Sequence, residues 1–262
     1  MIYKLRSKLI PRFLRKKINK KFFKLYFIPT NQTKLLPGNY INRNSYDYQK
    51  NLISNFRYNL KQNSSMTCPH LIELLLMKYN NEDEILFLDI GADNIDFFLE
   101  LSNSFKNVKY FFYNLKSVNE IFKKLKFDNN YDNLFVIDQI DDVFKQKFDF
   151  INFGSSIEYF DNYELILEKS SNNGKNIFFS GTTLFETKNE KYKKHIVVKQ
   201  VNEFPDINYL YFFNKKYFFS KFLNKNFKLL FEKKNLTDNV YYNNFNKIFD
   251  NIGYMDFLFT KK

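Results

Sequence analysis

At 262 residues and 44% hydrophobic content, the chain is long enough for one large globular domain, or for a core domain with an N-terminal extension. Its single cysteine, Cys68, excludes an internal disulfide framework, and with only His70 and His195 beside it no cluster has zinc-ligand spacing, so no metal site and a reducing, cytoplasmic setting are expected. The formal charge of +13 is concentrated at the start: residues 1–27 hold ten Lys or Arg and no acid, and the remaining chain, with 31 basic and 28 acidic residues, lacks the charge excess of a nucleic-acid-binding domain.

Within the basic head, Leu14, Ile18, Phe22 and Leu25 recur at helical spacing after Pro11 and are flanked by Lys and Arg. The stripe fits a basic amphipathic helix that either lies on an anionic membrane surface or docks on its own domain. No apolar run reaches the roughly 18–20 residues that cross a bilayer. Residues 28–44, with Pro29, Pro37 and Gly38, read as a linker. One helix follows Ser45 or Asp47 through Leu60, and a second follows Pro69 through Met77. The organisation expected is a basic extension at 1–27, a linker and helical region at 28–80, and an α/β domain at 81–262.

The stretch EILFLDIGADNIDFF, residues 84–98, carries the α/β reading. Leu86, Phe87, Leu88 and Ile90 suit a strand buried on both faces, as parallel strands are. Asp89 and Gly91 then fall at its carboxyl end, where open α/β sheets bind ligands. A dinucleotide fingerprint starting at Gly91 would need glycines where Asp93 and Asp96 stand. Beyond this loop strands and helices alternate: helix 95–105, strand 108–113, helix 117–125, strands 134–137 and 148–153, helix 163–169 and strand 176–180. A candidate strand or loop at 195–201, a candidate strand at 209–213, helix 215–223, and closing strands 227–231 and 254–260 complete the chain. The pattern predicts a doubly wound, Rossmann-like seven-stranded sheet, mostly parallel, with an antiparallel C-terminal strand and N-terminal helices.

That order, with PGNYINRNSYDYQKNLISNF at 37–56, FLDIGA at 87–92, FDFINFGSSIEYFDN at 148–162, HIVVKQV at 195–201, YLYFFNKKYF at 209–218 and NFKLLFE at 226–232, resembles class I S-adenosylmethionine-dependent methyltransferases. More narrowly, it resembles a family of bacterial methyltransferases found among surface-polysaccharide genes. The resemblance implies S-adenosyl-L-methionine as cofactor and a small or glycan-linked acceptor; on that reading the basic head would be a peripheral contact to the inner face of the membrane. Asp89 and Gly91 match the acid and first glycine of the family's donor loop. Asn114 stands where an acid usually holds the ribose, and Asp138 is placed to meet the adenine amino group or, alternatively, to cap the next turn. Gly154 and Ser155 end the fourth strand, beside the usual place of methyl transfer, and Glu158 and Tyr159 follow on the acceptor side. His195 is the histidine available as a general base, although a lone histidine is more often a structural or surface residue. Because Asp93, Asp96 and Asn114 depart from the pattern, a second reading is a non-catalytic relative acting as a partner or scaffold.

Overall fold

The computed structural model describes residues 27–36, 46–61, 75, 78–80, 82–92, 94–201, 208–234, 242, 245 and 248–262. Along the chain run β1 (Phe27–Pro29), α1 (Tyr46–Lys61), β2 (Ile85–Ile90), α2 (Asp96–Ser104), β3 (Val108–Tyr113), α3 (Lys116–Asn129), β4 (Leu134–Ile137), α4 (Ile140–Val143) and β5 (Phe148–Asn152). A 3-10 segment, Gly154–Tyr159, leads to α5 (Tyr163–Asn173), β6 (Gly174–Glu186), β7 (His195–Gln200), β8 (Asn208–Asn214), α6 (Lys215–Leu223), β9 (Phe227–Lys234) and β10 (Asn251–Lys261). The basic stripe of residues 1–26, the helix expected after Pro69 and Asp93 lie outside the described residues. The chain forms two compact units, one of residues 42–154 and 169–178, the other of residues 1–41, 155–168 and 179–262.

The first unit is built on parallel strands in the order β4-β3-β2-β5-β6, the last contributing its opening residues. β2 is central, and five of its six side chains are buried, which is why it reads as a near-continuous apolar run. Aromatic rings stack across neighbouring strands: Phe87 lies 5.3 Å from Tyr110 and 5.4 Å from Phe150 between ring centroids. Phe112 of β3 stacks at 3.8 Å on Phe122 of α3, whose Val118, Phe122 and Leu125 form the apolar face. That helix stops at Asn130, which takes the left-handed conformation (φ 54°) and donates its N–H to Lys126.

In the second unit β1 pairs antiparallel with β7, β7 antiparallel with β8, and β8 parallel with the end of β6. β10 pairs with β6 and, antiparallel, with β9. The expected closing pair is therefore present. The seven-stranded sheet expected is joined among the described residues by the candidate strands near 195–201 and 209–213, which form β7 and β8, and by β1. β1 corrects the reading of residues 28–44 as linker from its first residue, because three residues are too few to display alternation and Pro29 sits at the strand's end. The strand expected at 176–180 also runs on to Glu186, through Gly181, whose φ of 61° lets the backbone turn without leaving the ladder. One core gathers Phe27, Phe185, Val198, Phe212, Tyr242 and Phe249, and another stacks Phe222 on Phe259 at 4.6 Å.

Candidate functional site

In the first unit the donor-side candidates stand at the carboxyl ends of β2, β3, β4 and β5. Gly91 turns the chain out of β2 at φ 81° and donates its N–H to Tyr113 at 2.8 Å, a conformation that explains the glycine. The loop is pinned from α1, where the buried amide oxygen of Gln49 accepts the N–H of Ile95 at 3.0 Å. Asn94 accepts the next one, from Asp96, at 3.3 Å. These two bonds satisfy orphan donors at the start of α2, and no glycine is needed there.

Asp89 is buried and directed inward. Its Oδ1 accepts from Asn152 Nδ2 at 3.0 Å and its Oδ2 accepts from the Tyr110 hydroxyl, so one carboxylate ties β2 to both neighbouring strands. Asn114 donates its Nδ2 to the Ala92 carbonyl at 2.5 Å and accepts the Leu115 N–H on Oδ1 at 2.7 Å, joining the end of β3 to the loop after β2. Asn119, fully buried on α3, accepts the Asn114 N–H at 3.1 Å and donates to Ile137 O at 2.9 Å and Asp138 Oδ1 at 3.2 Å. The fold thus brings the Gly91 loop, Asn114 and Asp138 into one network. Asp138 is half exposed and pairs with Lys123 at 2.7 Å; the hydrogen bond from Lys123 holds its carboxyl below the ordinary value. At the end of β5, Gly154 faces open space, with nothing within 4 Å of where a Cβ would stand.

In the second unit the remaining candidates hold four separate sets of partners. Ser155 has a non-helical backbone (φ −83°, ψ 56°) and donates its hydroxyl to Ser180 O at 3.3 Å. Glu158 is buried: Oε1 accepts the Thr183 N–H of β6 at 3.2 Å and Oε2 meets no partner. Burial pushes its carboxyl up to about 8, against the pull of the backbone N–H groups of Glu158 itself and Thr183. Tyr159 is exposed and donates to Gln200 Oε1 at 3.0 Å.

His195, opening β7, lines a cavity of about 790 Å³ that belongs wholly to this unit. Its Nδ1 is 2.8 Å from the Tyr163 hydroxyl, the ring also bonds the Thr33 backbone, and burial holds its basicity below the ordinary value, leaving a neutral imidazole. Tyr163 and Tyr211 pack on it with centroids 5.6 and 4.5 Å away. Tyr211 in turn donates to Asp161 at 3.4 Å. Glu164 accepts from Tyr217 and attracts Lys194 at 3.3 Å and Lys221 at 3.9 Å. Tyr163, Tyr211 and Glu164 were not foreseeable as pocket residues in a chain with 19 Tyr. Asn119 had one signal, a polar residue beside Val118 on the apolar face of a helix.

No protein-family model and no curated protein matches this chain. Among solved structures it is similar to the O-methyltransferase of a trans-AT polyketide synthase multienzyme of Brevibacillus brevis in complex with S-adenosyl-L-homocysteine, with a TM-score of 0.54, 13% identity and coverage of 90% of this chain and 84% of that one. The chain has the fold of a class I methyltransferase. It is also similar to the 1,6-didemethyltoxoflavin-N1-methyltransferase of Burkholderia thailandensis with bound 1,6-didemethyltoxoflavin and S-adenosylhomocysteine, at a TM-score of 0.50 and 11% identity over 90% of this chain and 95% of that one. Identities this low carry the methyltransferase fold and leave the chemistry to the residues. Among the described residues no group of three His, Cys, Asp or Glu can hold a metal ion, and no helix is long and apolar enough to cross a membrane.

Proposed function

We propose that the chain is an S-adenosylmethionine-dependent methyltransferase acting on a small acceptor. The observation that carries this reading is the open backbone at Gly154, at the end of β5 in a sheet of methyltransferase strand order. Gly154 leaves main chain open at a strand end, as a bulky nucleoside-bearing donor requires, and Gly91 turns the chain out of β2. Asn114 and Asp138 would hold the donor's ribose and adenine through the lone pairs left over from their internal bonds, and Ser155 is the next residue of the chain after Gly154.

When bound, the donor supplies an electrophilic methyl group, whose transfer depends chiefly on positioning the acceptor in line. The chain's part is then to orient the acceptor and remove its proton. Glu158, with a carboxyl near 8, has the proton affinity for removing a proton from a hydroxyl or ammonium group at mildly alkaline pH, but it is buried, so the acceptor would have to reach it through an opening of the Gly154–Tyr159 segment. Tyr159 and the neutral His195 are the orienting candidates. The resemblance to methyltransferases of surface-polysaccharide genes supports a glycan-linked acceptor, and the ten basic residues at 1–27 support contact with anionic lipids.

Calorimetric titration with S-adenosylhomocysteine tests the reading. A saturable isotherm that Gly154→Val abolishes is expected, and the absence of heat at millimolar ligand sinks it. A second reading, a non-catalytic relative, is favoured by one observation: the polar atoms of Asp89 and Asn114 already serve the protein's own backbone and side chains. The same titration separates the two.

A further inference from the structure

The cavity at His195 has a composition that selects among ligands. Its volume, about 790 Å³, falls within the roughly 300–1,000 Å³ of small-molecule sites. Its floor is fixed: Tyr163 and Tyr211 are 2% and 3% exposed, and their hydroxyls are committed to His195 and Asp161. Recognition therefore falls to the charged groups above the floor.

Those groups nearly cancel. Four lysines, at 34, 194, 221 and 225, face three acids, at 161, 164 and 168. A phosphate or polyanion site would show uncompensated cations, yet Lys194 and Lys221 both lean on Glu164. A zwitterion would want acids and lysines segregated to opposite walls, and here two of the four lysines converge on one oxygen of Glu164. What remains is a ligand whose groups each donate and accept. A hydroxyl does both, giving to a carboxylate and receiving from an ammonium, and such charge-assisted bonds are the stronger kind.

We propose that this cavity binds a neutral polyhydroxylated molecule, a saccharide of one or two rings, gripped through Asp161, Glu164 and Lys194 over the Tyr163–His195–Tyr211 floor. The inference concerns the second unit alone and goes beyond the methyltransferase reading: binding is measured without methyl donor, so the two fail separately.

The full chain is titrated with D-glucose, N-acetyl-D-glucosamine, D-glucuronate, inorganic phosphate and glycine, followed by saturation-transfer NMR and by the His195 ring resonances, which His70→Gln identifies. Expected are saturation transfer to a neutral sugar, a saturable His195 shift, and a loss of roughly tenfold or more in affinity in Asp161→Asn and Lys194→Gln, in line with one charged hydrogen bond. Lys106→Gln, in the other unit, should bind as the unaltered chain does. The proposal is overturned if no neutral sugar moves the His195 resonances of the unaltered chain. It is equally overturned if phosphate or glycine moves them and the sugars do not compete, or if the Asp161 and Lys194 variants, folded by their unaltered melting temperature, bind sugar as before.

Discussion

Glu158 accepts the Thr183 N–H on Oε1 at 3.2 Å, and its other carboxyl oxygen is buried without a partner. An isolated carboxylate in that position is disfavoured, so the folded protein holds the proton, with the carboxyl raised from 4.5 to about 8. The unfolded chain releases this proton near its ordinary value. The resulting stabilisation is fully present below about pH 4.5 and is lost as the pH rises through 8. At about 1.4 kcal/mol per unit, the ceiling is on the order of 4–5 kcal/mol. Melting temperature should fall between pH 5 and 9, and Glu158→Gln, neutral at every pH, should flatten the fall. Parallel curves for the two proteins would refute the assignment.

Asp89 acts as a fastener within the parallel sheet. Replacing it with Ala would leave the Tyr110 hydroxyl and the Asn152 amide buried without their acceptor, at a cost of about 2–4 kcal/mol in urea unfolding. Tyr110→Phe removes one of the orphaned donors, so the Asp89→Ala/Tyr110→Phe double variant should lose less than the sum of the single variants. Strict additivity would show that Asp89 is held chiefly by other contacts.

The strand pattern was legible where burial was uniform. EILFLDI became β2 with five of six residues buried, and the spacing of Val118, Phe122 and Leu125 became α3. It faded where buried positions are polar. Thr182 and Thr183 are fully buried in β6, yet beside Gly181 they read as a loop, which is why the strand was expected to stop early. The donor-side candidates were legible as residue types at strand ends. Their partners were not: the register that sets Asp89 opposite Asn152, 63 residues away, arises from strand pairing and leaves no local pattern.

Gly181 is required twice over. Its φ of 61° disfavours any side chain, and an added Cβ would stand 2.3 Å from Ser155 Oγ. Gly181→Ala should therefore lower stability by more than the roughly 1–2 kcal/mol of a left-handed alanine. Ser155→Ala removes the colliding oxygen and leaves a Cβ at 3.6 Å, an ordinary contact. The double variant should thus recover the steric part and retain the backbone part. Failure of Ser155→Ala to restore any stability in chemical denaturation would mean that the loop, and not the hydroxyl, sets the requirement.

His195 gives the pocket a readout that needs no ligand. Burial is the largest influence on the ring and favours the neutral form, so its titration midpoint should lie below the ordinary 6.5. The stability that this depressed basicity confers is present above pH 6.5 and lost as the pH falls through the folded midpoint, opposite in sense to Glu158. Proton NMR across pH 4.5–8 resolves it, since the chain has only one other histidine, His70. Tyr163→Phe deletes the hydroxyl 2.8 Å from Nδ1 and should shift that midpoint while leaving His70 unmoved. A His195 midpoint at or above 6.5 would place the ring in water and open the floor on which the pocket's selectivity depends.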